Sequence, residues 1–221
     1  MNVEQARFNM IEQQIRPWDV LEPGVLALLA RVRREDFVPQ EHQALAFVDT
    51  QVPLIEGSPH GACMLEPRVE ARMLQELRLQ ASDRVLEIGT GSGFMACLLA
   101  GMAGQVISLE IHPALARQAE LNLSRAGVDN ARVLRADGSA GLAADGPFDA
   151  IVLSGSVAEV PQGLLAQLKP GGRLLAIVGQ EPIMRARLYT RSASEGFSHA
   201  DLFDTVAPRL LNFPEPSRFK F

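Results

Sequence analysis

The hydrophobic rhythm of the chain changes near residue 84. Before it, apolar residues recur at helical spacing. Phe8, Ile11 and Ile15 form a stripe through residues 1–14 and just beyond, and Val69, Met73 and Leu77 form another over residues 69–77. Arg16-Pro17 closes the first run, because the residue before a proline is pushed out of the helical region. Pro23-Gly24 opens a further helix over residues 25–32, with proline at the start, where a missing N–H is tolerated. Between residues 37 and 59 the periodicity lapses. Pro39, Pro53, Gly57 and Pro59 punctuate that stretch, as in a binding loop or lid.

From residue 84 short apolar runs alternate with helical segments. Strands are predicted at 84–88, 105–109, 132–135, 148–153, 172–178, 185–191 and 203–207, and helices at 93–100, 113–125 and 161–168. Such alternation predicts a parallel sheet covered on both faces. No helix lies between the last two strands, where Ser192 to Gly196 reads as a turn, an arrangement that suits an antiparallel hairpin. The expected fold is α/β: a doubly wound, seven-stranded, mostly parallel sheet with an antiparallel last strand and a helical N-terminal lobe. Residues 1–80 read as the lobe and a substrate loop, residues 81–221 as the core with a C-terminal tail. That tail carries Phe213, Phe219 and Phe221 and is expected to pack on the domain or on a neighbour.

Composition narrows the function classes. Hydrophobic residues make up 47% of the 221, enough for one large domain or a domain with an added lobe. A net charge of −5 argues against a nucleic-acid partner. No apolar run reaches the length of a membrane span, and the polar N-terminus lacks a signal-peptide core. The expectation is a soluble, cytoplasmic protein. Cys63 and Cys97 have no CxxC spacing and the histidines do not cluster, which argues against a metal site or a disulfide framework. Nothing in the pattern sets an oligomeric state.

The candidate chemistry centres on Val85-Leu86-Glu87-Ile88-Gly89-Thr90-Gly91-Ser92-Gly93-Phe94. A strand, a glycine-rich turn and a helix in that order present backbone N–H groups to a nucleotide-like ligand. Glycine permits close approach and positive φ. Glu110 ends the second strand, where a carboxylate can accept hydrogen bonds from ribose hydroxyls. Asp137-Gly138 follows the third strand, where a carboxylate can accept from an exocyclic amine and glycine lets a base lie close. Plainer readings exist: a tight turn without ligand, a surface glutamate, an Asx turn. A dinucleotide oxidoreductase fits these residues nearly as well. Two features weigh against it. The glycines fall as Gly89-x-Gly91-x-Gly93 rather than G-x-G-x-x-G, and Leu168-Lys169-Pro170-Gly171-Gly172-Arg173-Leu174 precedes the hairpin.

The ordered blocks around Gly89, Glu110, Asp137-Gly138, Phe148-Asp149-Ala150-Ile151-Val152 and Leu168-Lys169-Pro170-Gly171-Gly172 resemble the motifs of Rossmann-like class I methyltransferases. The resemblance implies S-adenosylmethionine as cofactor. It assigns Glu87, Gly89, Thr90, Gly91, Ser92, Gly93, Glu110, Ile111, Asp137, Gly138 and Leu153 to its binding. A narrower resemblance spans nearly the whole chain. Met10-Ile11-Glu12-Gln13-Gln14-Ile15-Arg16, Val32-Arg33-Arg34-Glu35-Asp36-Phe37-Val38-Pro39, Ala46-Phe47-Val48-Asp49 and Pro161 to Gly172 are similar to segments of the protein-L-isoaspartate O-methyltransferases. That family methylates the free carboxylate of isoaspartyl residues in proteins or peptides, which begins their repair.

One segment departs from the family. Its Thr-Ile-Ser-x-Pro, whose serine lies against the substrate carboxylate, is here Cys63-Met64-Leu65-Glu66-Pro67. Leu65 cannot donate a hydrogen bond, and losing a buried partner costs about 1–3 kcal/mol. Glu66 adds a negative charge. The substrate-facing candidates are Ser58, His60, Met64, Leu65 and Ser154. Ser154-Gly155-Ser156-Val157 is expected to follow the fourth strand with its hydroxyls towards the methyl acceptor. A carboxylate acceptor needs no general base, so catalysis would rest on proximity and orientation. A hydroxyl or amine acceptor would use one, and His60 is the first candidate. Three readings stay open: an isoaspartyl carboxyl methyltransferase, a diverged member acting on another acceptor such as a small molecule, and a cofactor-binding protein without turnover.

Overall fold

In a computed structural model of the chain, which describes residues 2–55, 57, 61–193 and 196–215, the first apolar stripe folds as α1 (Val3–Met10). Asn2 caps it, its side chain accepting from the N–H groups of Glu4 and Gln5. The helix then widens into a π segment, Ile11–Ile15. Its buried face is Arg7, Met10, Ile11 and Ile15, whereas Phe8 is 58% exposed. The stripe is thus turned one residue from the predicted one, because Arg7 points inward to pair with Glu35. α2 (Pro23–Arg31) starts on Glu22, whose carboxylate accepts from the Val25 N–H. The aperiodic stretch holds a 3-10 turn, Gln40–Leu45, and β1 (Val52–Pro53), which pairs antiparallel with β2 (Cys63–Met64). α3 (Pro67–Leu77) buries Val69, Met73, Leu74 and Leu77.

Then come β3 (Arg84–Ile88), α4 (Phe94–Ala100), β4 (Gln105–Glu110), α5 (Pro113–Arg125), β5 (Ala131–Arg135), β6 (Phe148–Val157), α6 (Gln162–Leu165), β7 (Leu168–Gln180), β8 (Ile183–Arg191) and β9 (Phe197–Thr205). The seven-stranded sheet has the order β5-β4-β3-β6-β7-β8-β9. The first five strands in that order pair in parallel. β8 pairs antiparallel with β7, and the last strand, β9, antiparallel with β8.

Several boundaries differ from the sequence expectation. β6 runs on to Val157, so Ser154-Gly155-Ser156 lies on a strand rather than after one. β7 begins at Leu168, which shortens the helix before it. Between the pairs Phe148–Leu168 and Ala150–Arg173 the register shifts, and Gly171 takes φ 79° in that irregularity. β9 starts at Phe197, before the expected 203, its first residues being exposed with no apolar run to mark them.

Two cores flank the sheet. Val85, Val106, Val152 and Ile177 pack on one face with Met10, Ile15, Leu28, Leu74 and Leu98. Leu86, Ile88, Ile107, Ile151 and Leu174 pack on the other with Leu164 and Leu165. Burial on both faces is why these strands read as continuous apolar runs. The chain leaves β3 towards β4 and later returns on its other side as β6, so the sheet's topological switch lies at the carboxyl end of β3, where such folds bind ligands. Among the described residues no helix is long and apolar enough to cross a membrane.

Candidate functional site

β3 ends at Ile88 and the chain turns through Gly89, Gly91 and Gly93 at φ 93°, 55° and 85°. Side chains rarely adopt those angles, which is why the turn requires glycine. The turn is pinned to the neighbouring strand by the Gly89 N–H, which donates to the Leu109 carbonyl at 2.8 Å. At its centre the Gly91 N–H donates to Glu110 Oε2 at 2.8 Å. Glu110 Oε1 accepts from the His112 N–H at 2.9 Å. A carboxylate offers about four acceptor positions, so Glu110 keeps capacity for further donors.

Asp137 accepts from the Ser139 N–H at 2.9 Å and from Asn212 Nδ2 at 2.7 Å. The Ser139 N–H, with Asn212 adding to it, holds this carboxyl below its usual range. The Asx turn expected of Asp-Gly is therefore real, and the side chain still faces the cleft. The sheet also requires Gly138. A Cβ there would stand 2.3 Å from Ile88 Cγ2, so the glycine answers to the sheet as well as to any ligand.

Together these elements wall a partly open cleft. Gly89, Gly91, Glu110, Ile111, Asp137 and Gly138, which the resemblance assigns to the cofactor, line it. The opposite wall was not foreseen. It is Leu54 from the aperiodic stretch and Pro208 to Leu211 with Phe213 from the C-terminal segment. Ser156 holds that segment: its N–H donates to the Pro208 carbonyl, its carbonyl accepts from the Leu210 N–H, and its hydroxyl donates to the Ala207 carbonyl. A Cβ on Gly89 or Gly155 would lie 2.8 Å from Leu210 Cδ2. The only sequence cue was the apolar Leu210-Leu211 pair after Pro208. Phe213 is buried in the second core, as the tail was expected to be; Phe219 and Phe221 lie outside the described residues.

Several expected contacts lie behind the wall instead. Glu87 is fully buried beneath the turn. Ser108 donates to its Oε2 at 2.6 Å and Ser154 to its Oε1 at 2.7 Å, while Thr90 and Ser108 hydroxyls meet at 2.5 Å. Burial pushes the Glu87 carboxyl up to about 8. Glu87, Ser108 and Thr90 thus form a supporting polar layer, and the buried Ser92 hydroxyl accepts from the Phe94 N–H. Gly93 packs against Ala119 of α5, and Leu153 is buried in the second core beside Ile88.

The substrate-facing candidates divide. Leu65 lines the cleft with only 4% of its surface exposed. Its carbonyl accepts from Arg34 Nη2 at 2.8 Å, and the buried Arg34 pairs with Glu70. Met64 is buried below the turn. Ser154 borders the cleft, but its hydroxyl is turned onto Glu87, and that of Ser156 onto Ala207. Both hydroxyls thus donate to groups within the protein. The Glu66 carboxylate lies 3.4 Å from Gln51 Nε2. Ser58 and His60 lie outside the described residues.

The family model described as protein-L-isoaspartate(D-aspartate) O-methyltransferase matches residues 5–206. A protein-L-isoaspartate O-methyltransferase from Rhodopseudomonas palustris is 41% identical over 215 residues, covering 94% of this chain and 96% of the relative. One from Methanoculleus marisnigri is 42% identical over 175 residues, covering 79% and 78%. A Plasmodium falciparum structure, described as a protein-L-isoaspartate O-methyltransferase in complex with S-adenosyl-L-homocysteine, superposes with a TM-score of 0.77 at 21% identity, covering 95% of this chain and 98% of that one. It bears on the fold.

Proposed function

The chain belongs to the protein-L-isoaspartate(D-aspartate) O-methyltransferase family, and from that premise we propose that it methylates the free carboxylate of isoaspartyl residues in proteins or peptides. S-adenosylmethionine, when bound, supplies an electrophilic methyl group. The observation that carries the reading is the joined pair of Gly91 and Glu110 at the sheet's switch point. The residues fit that cofactor. Glu110 retains acceptor positions for the two ribose hydroxyls, Asp137 faces the cleft to take an exocyclic amine, and the glycine turn offers backbone without side chains. Leu210 and Phe213 give the cleft an apolar wall. A carboxylate acceptor is already nucleophilic, so the protein's task is to hold and orient rather than to move a proton. Its free thiols, Cys63 and Cys97, agree with a cytoplasmic setting.

The test is methyl ester formation on an isoaspartyl peptide, read as base-labile methanol release by the purified protein. No release while S-adenosylmethionine remains bound would overturn the reading. Leu65 supports a second one. It lines the cleft at the position where the resemblance puts a substrate-binding serine, which favours a different acceptor, such as a small molecule. A methylated product from a metabolite extract, with no ester on the peptide, would establish that alternative.

A further inference from the structure

An anionic acceptor entering this cleft meets two fixed carboxylates, Glu110 and Asp137, and a leucine where a donor would serve it. A buried carboxylate without a partner is costly, so a donor must come from elsewhere. Among the described residues lining the cleft, Arg209 is the one that carries a permanent positive charge. We propose that Arg209 is the specificity residue that receives the acceptor's carboxylate, in compensation for Leu65. The proposal rests on the carboxyl-methylating reading above.

Three observations support it. The first is the anchoring of Arg209. The Ser156 backbone clamps the segment on both sides of it, at Pro208 and at Leu210, so the residue is preorganised. The second is the state of its guanidinium. Nη1 donates to Ser156 Oγ at 3.3 Å, and Nε lies 2.9 Å from Glu215 Oε1. A guanidinium has five N–H donors in a fork suited to carboxylates, so these partners leave capacity for another. Glu215 is half exposed, a counter-ion that solvent can take back. The third is proximity to the departing segment. Pro208 sits 3.6 Å from where a Cβ on Gly61 would be. Gln51 donates to the Val206 carbonyl and accepts from the Cys63 thiol. The strap that carries Arg209 therefore borders the segment that carries Leu65.

The test compares Arg209→Gln and Arg209→Lys with the unaltered protein on an isoaspartyl peptide. The expected result for Arg209→Gln is a KM for peptide raised about tenfold or more, with unchanged affinity for S-adenosylhomocysteine and a smaller rise for Arg209→Lys. Leu65→Ser should lower KM by a larger factor in the Arg209→Gln protein than in the unaltered one, a non-additivity that a merely structural role for Arg209 would not produce. An unchanged KM in Arg209→Gln overturns the proposal. Calorimetry with glutarate on the S-adenosylhomocysteine-saturated proteins separates it from the functional reading. If the unaltered protein gives no peptide ester yet binds glutarate in an Arg209-dependent manner, the isoaspartyl reading fails and the anion site stands. Equal glutarate binding, or none, in both proteins overturns the anion site.

Discussion

The Gly91 N–H and the Glu110 carboxylate meet at 2.8 Å. The contact joins the turn after β3 to the end of β4, and the second oxygen of Glu110 holds the His112 N–H at the start of α5. One side chain thus sets the spacing of three elements around the cleft. Glu110→Ala should weaken S-adenosylmethionine binding about tenfold to a hundredfold, the range expected for losing hydrogen bonds to a charged group. Calorimetric titration measures it. Unchanged affinity would remove Glu110 from the cofactor site.

Gly138 is constrained by Ile88, which a Cβ would approach to 2.3 Å. Gly138→Ala should therefore destabilise the fold by about 1–3 kcal/mol through overpacking. Denaturant unfolding reads this directly. Since the clash is with Ile88 Cγ2, placing Gly138→Ala in an Ile88→Ala background, which lacks that atom, should recover part of its cost. No recovery would show that the backbone at 138 is the obstacle.

Glu87 gives a pH dependence with a definite sign. Burial chiefly, with the Glu70 and Glu110 charges adding to it, raises its carboxyl from the ordinary 4.5 to about 8. Between those values the folded protein keeps a proton that the unfolded chain has released. The stability due to this group is thus complete below about 4.5 and lost as pH rises through about 8. Glu87→Gln mimics the protonated form and should flatten that decline. Unfolding midpoints of both proteins from about pH 5 to about pH 8.5 decide it, and parallel profiles would refute the assignment.

The buried pair of Arg34 and Glu70 ties α3 to the 3-10 turn before residue 37, and Arg34 also holds the Leu65 carbonyl. Arg34→Met alone should cost about 3–5 kcal/mol, because it leaves Glu70 buried without its partner. Adding Glu70→Leu should recover most of that. A double variant no more stable than the single one would mean that the ion pair is not what the loss reports.

How much of this was legible in the sequence depends on what each element faces. Strands buried on both sides, such as Val85 to Ile88, announce themselves as apolar runs, and the glycine turn and Glu110 follow at fixed offsets. The start of β9 did not, because Phe197 to Asp201 are exposed. Phe8 misled because periodicity cannot tell that Arg7 is neutralised by Glu35 and so can face inward. Ser154 and Ser156 read as acceptor-facing hydroxyls, since nothing local indicates that Glu87 and Ala207 engage them. The wall from Pro208 to Phe213 escaped because its contacts with Ser156 and Asp137 join residues far apart in the chain. Long-range pairing of irregular backbone leaves no period to read.

Leu65 is where stability and recognition pull in opposite directions. Its side chain is nearly buried, and truncating a buried leucine costs about 2–5 kcal/mol. Leu65→Ser should accordingly lower the unfolding midpoint. The same change offers a hydroxyl at the cleft wall, and a hydrogen bond to a carboxylate is worth about 1.5–3 kcal/mol. KM for an isoaspartyl peptide should thus fall about tenfold, with Arg209 still in place to share the anion. Both effects should occur together in one variant, measured by thermal unfolding and by ester formation at saturating S-adenosylmethionine. A lower midpoint with KM unchanged would mean that Leu65 fills the core without touching the acceptor, and the departure from the family segment would then say nothing about the substrate. A fall in KM would instead identify residue 65 as the point where the cleft distinguishes an isoaspartyl carboxylate from a less polar acceptor.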